Sequence, residues 1–111
     1  MSQELIDQGT FDELADAMGT EFAAELVETF LSDAPNMFAD LKEAFGAEDA
    51  DAYRRAAHSI KSNAQVFGAK RLADQAREME LGDMASGGAA IAELEATFTQ
   101  TATALKGLLD E

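Results

Sequence analysis

The sequence predicts an all-α fold: an antiparallel up-and-down four-helix bundle with one or two short extra helices at its N-terminus. Three observations carry that expectation. Alanine occurs 23 times against 12 for valine, isoleucine and threonine together, so intrinsic propensity favours helix over strand. Proline occurs once, at Pro35, which leaves long stretches free of the residue that most disrupts a helix interior. Apolar residues recur at three- and four-residue spacing in segment after segment, the period of one helical face. With 111 residues and 47% apolar content the chain suffices for one core, so residues 1–111 are read as a single domain.

Taken in order, Thr10-Phe11-Asp12-Glu13 has the pattern of a capping box and opens a short first helix with Leu14 and Met18 inward; Gly19 supplies a left-handed stop. A second helix starts at about Thr20. Phe22, Leu26 and Phe30, with Ala23 and Val27 beside them, form a wide apolar stripe that ends near Ser32-Asp33. Pro35, favoured at the first helical position, marks a fresh start, and Met37, Phe38, Leu41, Ala44 and Phe45 share one side of a third helix up to Gly46. Asp49 caps a fourth helix that runs to about Phe67, with Gly68 at its C′ position. The fifth turns Leu72, Ala73, Ala76 and Met79 inward, and Gly82 to Gly88, with Asp83 and Ser86, reads as a loop. In the last helix Ile91, Leu94, Phe98, Ala102, Leu105, Leu108 and Leu109 make a stripe long enough to back the whole bundle. The short connections imply antiparallel neighbours. The methionines Met18, Met37, Met79 and Met84 read as core filler or loop anchors.

Composition removes several classes of function. The chain has no cysteine and one histidine, which excludes disulfides, thiolate ligands and any metal site that needs two imidazoles. No stretch approaches the roughly 20 apolar residues that span a bilayer, and the start Met1-Ser2-Gln3-Glu4 lacks the basic region of a secretory signal, so a cytoplasmic location is expected. A formal charge of −14 repels nucleic acid and anionic membranes, so neither is expected as a partner. Without a spare apolar stripe the chain is expected to be a monomer. Against this acidic background Arg54, Arg55, Lys61, Lys70, Arg71 and Arg77 fall in one segment whose only acid is Asp74.

The lone histidine lies in that basic segment. Taking roughly 100° per residue, Tyr53, Ala56, Ala57, Ile60, Ala64 and Phe67 share the sector that must face the core, while His58, Lys61, Ser62 and Gln65 share another centred about 140° away. The imidazole should therefore face water. Lys61 at i+3 and Gln65 at i+7 lie on the same stripe, and Arg54, Arg55, Lys70 and Arg71 extend the positive character along it. With screening over about 8 Å, distant carboxylates contribute little there, and an anion is favoured. An exposed imidazole titrates near neutrality, and its free nitrogen is a nucleophile able to accept a phosphoryl group, with a cation such as Lys61 at the equatorial oxygens. No Gly-rich phosphate loop is present, so no nucleotide site and no autophosphorylation are expected.

The run Ala57-His58-Ser59-Ile60-Lys61-Ser62-Asn63-Ala64-Gln65-Val66-Phe67-Gly68-Ala69 resembles the signature of histidine-containing phosphotransfer (HPt) domains of two-component phosphorelays. That signature has a His, an aliphatic residue two later, a Lys three later, small residues and a Gly-Ala pair. Leu5-Ile6-Asp7, Phe30-Leu31, Glu48-Asp49, Leu72 and Met79-Glu80 extend the resemblance over nearly the whole chain. Three positions depart from it: Ser62 stands where the family most often has Gly, Asn63 is bulkier than usual, and Glu80 stands where some relatives carry a Gln that helps hold the phosphohistidine.

The resemblance implies a phosphorelay intermediate without independent turnover. His58 would be the phosphorylation site and Lys61 the stabiliser of the phosphoryl charge, with Ser62, Gln65, Gly68, Arg54 and Arg55 on the binding surface. Its partners would be receiver domains of response regulators or hybrid histidine kinases. No intrinsic cofactor is implied, since Mg²⁺ would be held by the receiver's own carboxylates. The receiver's acidic pocket would meet the basic surface around His58, and opposite potentials speed association. Gly68 reads both as a helix stop and as a position kept bare for close approach. A non-transferring helical adaptor that binds receivers is the alternative. A hydrolase using His58 as general base lacks both a paired nucleophile and a deep pocket.

Overall fold

The computed structural model describes residues 5–82 and 87–109, without the side chain of Leu109. These residues form five helices and no strand: α1 Gln8–Met18, α2 Thr20–Gly46, α3 Ala50–Val66, α4 Lys70–Leu81 and α5 Gly87–Leu109. Helices α2 to α5 make the antiparallel four-helix bundle, each packed on the next and α5 closing on α2, while α1 covers one end against α2 and α3. No helix among the described residues is long and apolar enough to cross a membrane.

Local chemistry sets most of the boundaries. Asp49 caps α3, its carboxylate accepting from the Ala52 N–H at 3.1 Å. Gly19, at φ 90°, ends α1 and donates its N–H to the Ala15 carbonyl at 2.8 Å. Gly68, at φ 69°, turns the chain from α3 into α4.

Two expected starts are corrected. The cap of α1 is Asp7 rather than Thr10: its carboxylate accepts from the Gly9 N–H, and its own N–H is held by the Gly68 carbonyl at 2.6 Å, so the helix begins before the Thr10 box. Pro35 begins no helix, because α2 runs through it without a break. A proline inside a helix lacks one N–H and costs about 3 kcal/mol relative to alanine. Tertiary packing outweighs that cost. Val27, Phe30, Ala34, Phe38, Leu41 and Ala44 form one buried stripe in phase across Pro35, which itself points outward. Phe30 and Phe38, on either side of it, both pack edge-on against Phe98 of α5, with ring centroids 5.8 and 5.4 Å away. The expected second and third helices are thus one.

The core is otherwise as the periodicity indicates, with Leu41, Ile60, Leu72, Leu94 and Leu105 all but fully buried and each contributing roughly 1.5–3 kcal/mol. Alanines 57, 64, 73 and 76 are buried between α3 and α4 and let those helices approach closely. Met18 and Phe22 are corrections: they are 51% and 42% exposed, and at the start of α2 the buried face runs through Ala23, Val27 and Phe30, with Phe22 to one side of it. Thr97 and Thr101 are buried although polar, the Thr101 hydroxyl donating to the Thr97 carbonyl at 2.7 Å. Of the expected loop, Asp83, Met84 and Ser86 lie outside the described residues. Gly87 and Gly88 already belong to α5, and a Cβ on Gly87 would meet the Tyr53 hydroxyl at 2.9 Å.

Candidate functional site

The site is built where α3 and α4 pack antiparallel. His58 projects from the middle of α3 with its side chain 57% exposed, and Glu80 reaches it from the last turns of α4. One carboxylate bridges two cationic or potentially cationic groups: Oε1 lies 3.0 Å from His58 Nδ1, and Oε2 lies 2.7 Å from Lys61 Nζ. The Lys61 and Glu80 side chains are only 18% and 22% exposed, so this pair sits in the α3–α4 seam beneath the ring. The Lys61 hydrogen bond holds the Glu80 carboxyl below its ordinary range; partial desolvation works against this, and the His58 bond adds to it.

The protonation of the ring follows from that direction. An ionised carboxylate can only accept, so the proton of neutral His58 lies on Nδ1 and is donated to Glu80. Nε2 therefore carries the lone pair. It is the nitrogen turned away from the seam, with the Ser62 hydroxyl 3.5 Å away.

The expected site residues separate into groups. Arg54 and Arg55 line, with His58, Ser59 and Glu80, an open cavity of about 420 Å³ on the flank of the imidazole. Arg54 also lies 3.9 Å from Asp51, and both of those side chains are well exposed. Ser62 and Gln65 are exposed on the His58 face, and Val66, eight residues beyond His58, is an exposed apolar group 48% accessible.

Gly68 is buried rather than displayed. A Cβ there would lie 2.5 Å from the Asp7 carbonyl oxygen, so its close approach is to the chain's own N-terminal segment. Asn63, bulkier than the resemblance calls for, is accommodated by donating to the Ser59 carbonyl at 2.8 Å and lying 3.9 Å from the Met37 sulfur on α2. The resemblance places Glu80 where some relatives carry a Gln beside the phosphohistidine, but periodicity gives no sign of its contact with His58, which joins two helices across 22 residues of sequence.

Comparison with known proteins points in one direction. The family described as Hpt domain matches residues 25–106. A phosphorelay protein of Vibrio harveyi, LuxU, is 29% identical over 76 residues, which are 68% of this chain and 67% of the relative. The crystal structure of histidine-containing phosphotransfer protein B (HptB) from Pseudomonas aeruginosa PAO1 superposes with a TM-score of 0.89 at 27% identity, covering 98% of this chain and 97% of the other.

Proposed function

The chain belongs to the Hpt domain family, and on that premise we propose that it is a phosphorelay intermediate that accepts a phosphoryl group on His58 Nε2 from the aspartyl phosphate of one receiver domain and passes it to the aspartate of another. One observation carries this reading: the Glu80 carboxylate accepts a hydrogen bond from the Nδ1–H of neutral His58, which leaves the lone pair on Nε2 of an exposed ring.

In the forward step the Nε2 lone pair attacks phosphorus, the N–P bond forms, and the P–O bond to the receiver aspartate breaks with its electron pair returning to that carboxylate. The positive charge that develops on the ring is met by Glu80, as a carboxylate behind a catalytic imidazole meets it elsewhere. In the reverse step a receiver carboxylate attacks phosphorus and the N–P electron pair returns to Nε2. Lys61 acts first through Glu80, keeping it ionised and placed, and its ammonium adds positive potential beneath the phosphoryl group. Arg54 and Arg55 supply exposed positive charge beside the ring for steering an acidic receiver pocket.

The chain has no role for a cofactor of its own in this scheme. Mg²⁺ would be held by the receiver's own carboxylates, where it would supply positive charge for the transfer. The carrier acts as a monomer in the cytoplasm, does not turn over substrate independently, and has neither nucleic acid nor membrane as partner. Incubating the chain with a panel of phosphorylated receiver domains tests this. Label should appear on the wild type and be absent from His58→Gln, whereas label on His58→Gln would contradict the assignment.

A further inference from the structure

From the geometry at Nε2 we infer that Ser62 is a contact residue of the phosphoryl group, an addition resting on the carrier reading above. Ser62 lies one turn along α3 from His58, and its Oγ is 3.5 Å from the nitrogen that bears the lone pair. It is exposed, on the side of the ring opposite the Glu80 contact. Whatever bonds to Nε2 must share space with this hydroxyl.

The hydroxyl has one proton to give. In the free protein its nearest acceptor on the ring is the Nε2 lone pair, because Nδ1 is already donating to Glu80. When that lone pair forms the N–P bond it ceases to be an acceptor. The phosphoryl oxygens then stand one bond further out from Nε2, carry net negative charge and fall within reach of the same O–H by rotation about the Ser62 Cα–Cβ and Cβ–Oγ bonds. A neutral donor to an anionic acceptor makes a stronger hydrogen bond than a neutral pair. Ser62 therefore favours the phosphorylated over the free form, an effect that glycine, with no side chain, lacks.

The other cations do not replace it. Lys61 is engaged with Glu80 in the α3–α4 seam, and Arg54 and Arg55 line the cavity on the flank of the ring, which Ser62 does not border. Serine in place of the bare residue thus adjusts how strongly His58 retains its phosphoryl group. It leaves the exposed approach to Nε2 unobstructed, because a hydroxyl can rotate aside.

Competition between variants tests this directly. Wild type and Ser62→Ala, whose difference in mass distinguishes them, are mixed at equal concentration. They are charged with phosphoramidate and equilibrated through a trace of any receiver domain that exchanges phosphate with the wild type. Because the receiver serves only as a shuttle, the ratio of phosphorylated species reports the relative stability of the two phosphohistidines. Wild type should hold about fivefold more phosphoryl than Ser62→Ala or Ser62→Gly, and Ser62→Thr, which keeps a hydroxyl, should stay near parity with wild type. Parity between wild type and Ser62→Ala overturns the inference while leaving the carrier reading intact. Failure of every receiver to exchange phosphate with the wild type overturns the carrier reading and this inference with it. Ser62 is exposed, so its variants are expected to fold, as circular dichroism would show.

Discussion

Glu80 Oε1 lies 3.0 Å from His58 Nδ1 across the α3–α4 seam, and the other oxygen of the same carboxylate is held by Lys61 at 2.7 Å. One acidic side chain thereby fixes which ring nitrogen is protonated, and one lysine fixes the acid. On the carrier reading proposed above, the nitrogen left free to react would be selected by Glu80 from the opposite side of the ring.

Removing that selection should slow acceptance of phosphate. Glu80→Ala is expected to reduce the initial rate of labelling by a phosphorylated receiver by roughly tenfold to a hundredfold, with Glu80→Gln intermediate because its amide oxygen can still accept from Nδ1. Unchanged rates in both variants, with helicity intact by circular dichroism, would show that the tautomer is set by something else.

The pairing with Lys61 also has a pH signature. The folded-state pKa of Glu80 is depressed below its ordinary value of 4.5, chiefly by the Lys61 hydrogen bond. Its contribution to stability is thus fully present above the unfolded carboxylate pKa and is lost as pH falls through the lower folded value. In Lys61→Met the carboxyl should titrate at higher pH than in wild type, read by side-chain carboxyl NMR. An equal or lower midpoint in the variant would contradict the ion pair.

Gly68 couples the turn after the histidine helix to the N-terminal segment. Its φ of 69° and the 2.5 Å separation that a Cβ would have from the Asp7 oxygen both oppose a side chain. Gly68→Ala should lose about 2–4 kcal/mol in urea unfolding, combining the left-handed penalty with the displaced contact. Gly46→Ala, with nothing within 4 Å of the added atom, should be neutral or slightly stabilising. Equal effects at the two positions would show that the Asp7 clasp is unimportant.

Pro35 offers the opposite test. It is exposed in the interior of α2, so Pro35→Ala restores an N–H for the Leu31 carbonyl. Stability should rise by about 1–2 kcal/mol, the helix gain reduced by the greater freedom of the unfolded chain. A loss of stability would indicate that the proline ring supports α2 in a way the buried stripe does not reveal.

Much of this arrangement is legible in the sequence, and what is not has physical causes. Periodicity on α3 separates the Tyr53 and Ile60 face from the His58 face because one helix obeys one angular rule. The same rule places Lys61 on the edge nearest the core sector, which is why it lies in the seam rather than in water beside His58. The partner of His58 is invisible to that rule. Glu80 is 22 residues away, and the meeting depends on how far α4 slides along α3 over their shared alanines. At Pro35 local propensity argued for a break, and the aromatic contacts of Phe30 and Phe38 with Phe98 overrode it. Phe22 fits the four-residue spacing with Leu26 and Phe30, but the buried face of α2 passes through its neighbour Ala23 instead, and Met18 is exposed at the last residue of α1. Thr101 is buried because its hydroxyl bonds its own helix backbone at Thr97, after which the side chain behaves as an apolar group.

The most direct measurement is the nitrogen–phosphorus coupling in the phosphorylated, ¹⁵N-labelled chain, which has a single imidazole. Phosphorus should couple as a directly bonded neighbour to His58 Nε2, with Nδ1 still protonated against Glu80. A phosphoryl group bonded to Nδ1, or found on a residue other than His58, would contradict the assignment of the reacting atom.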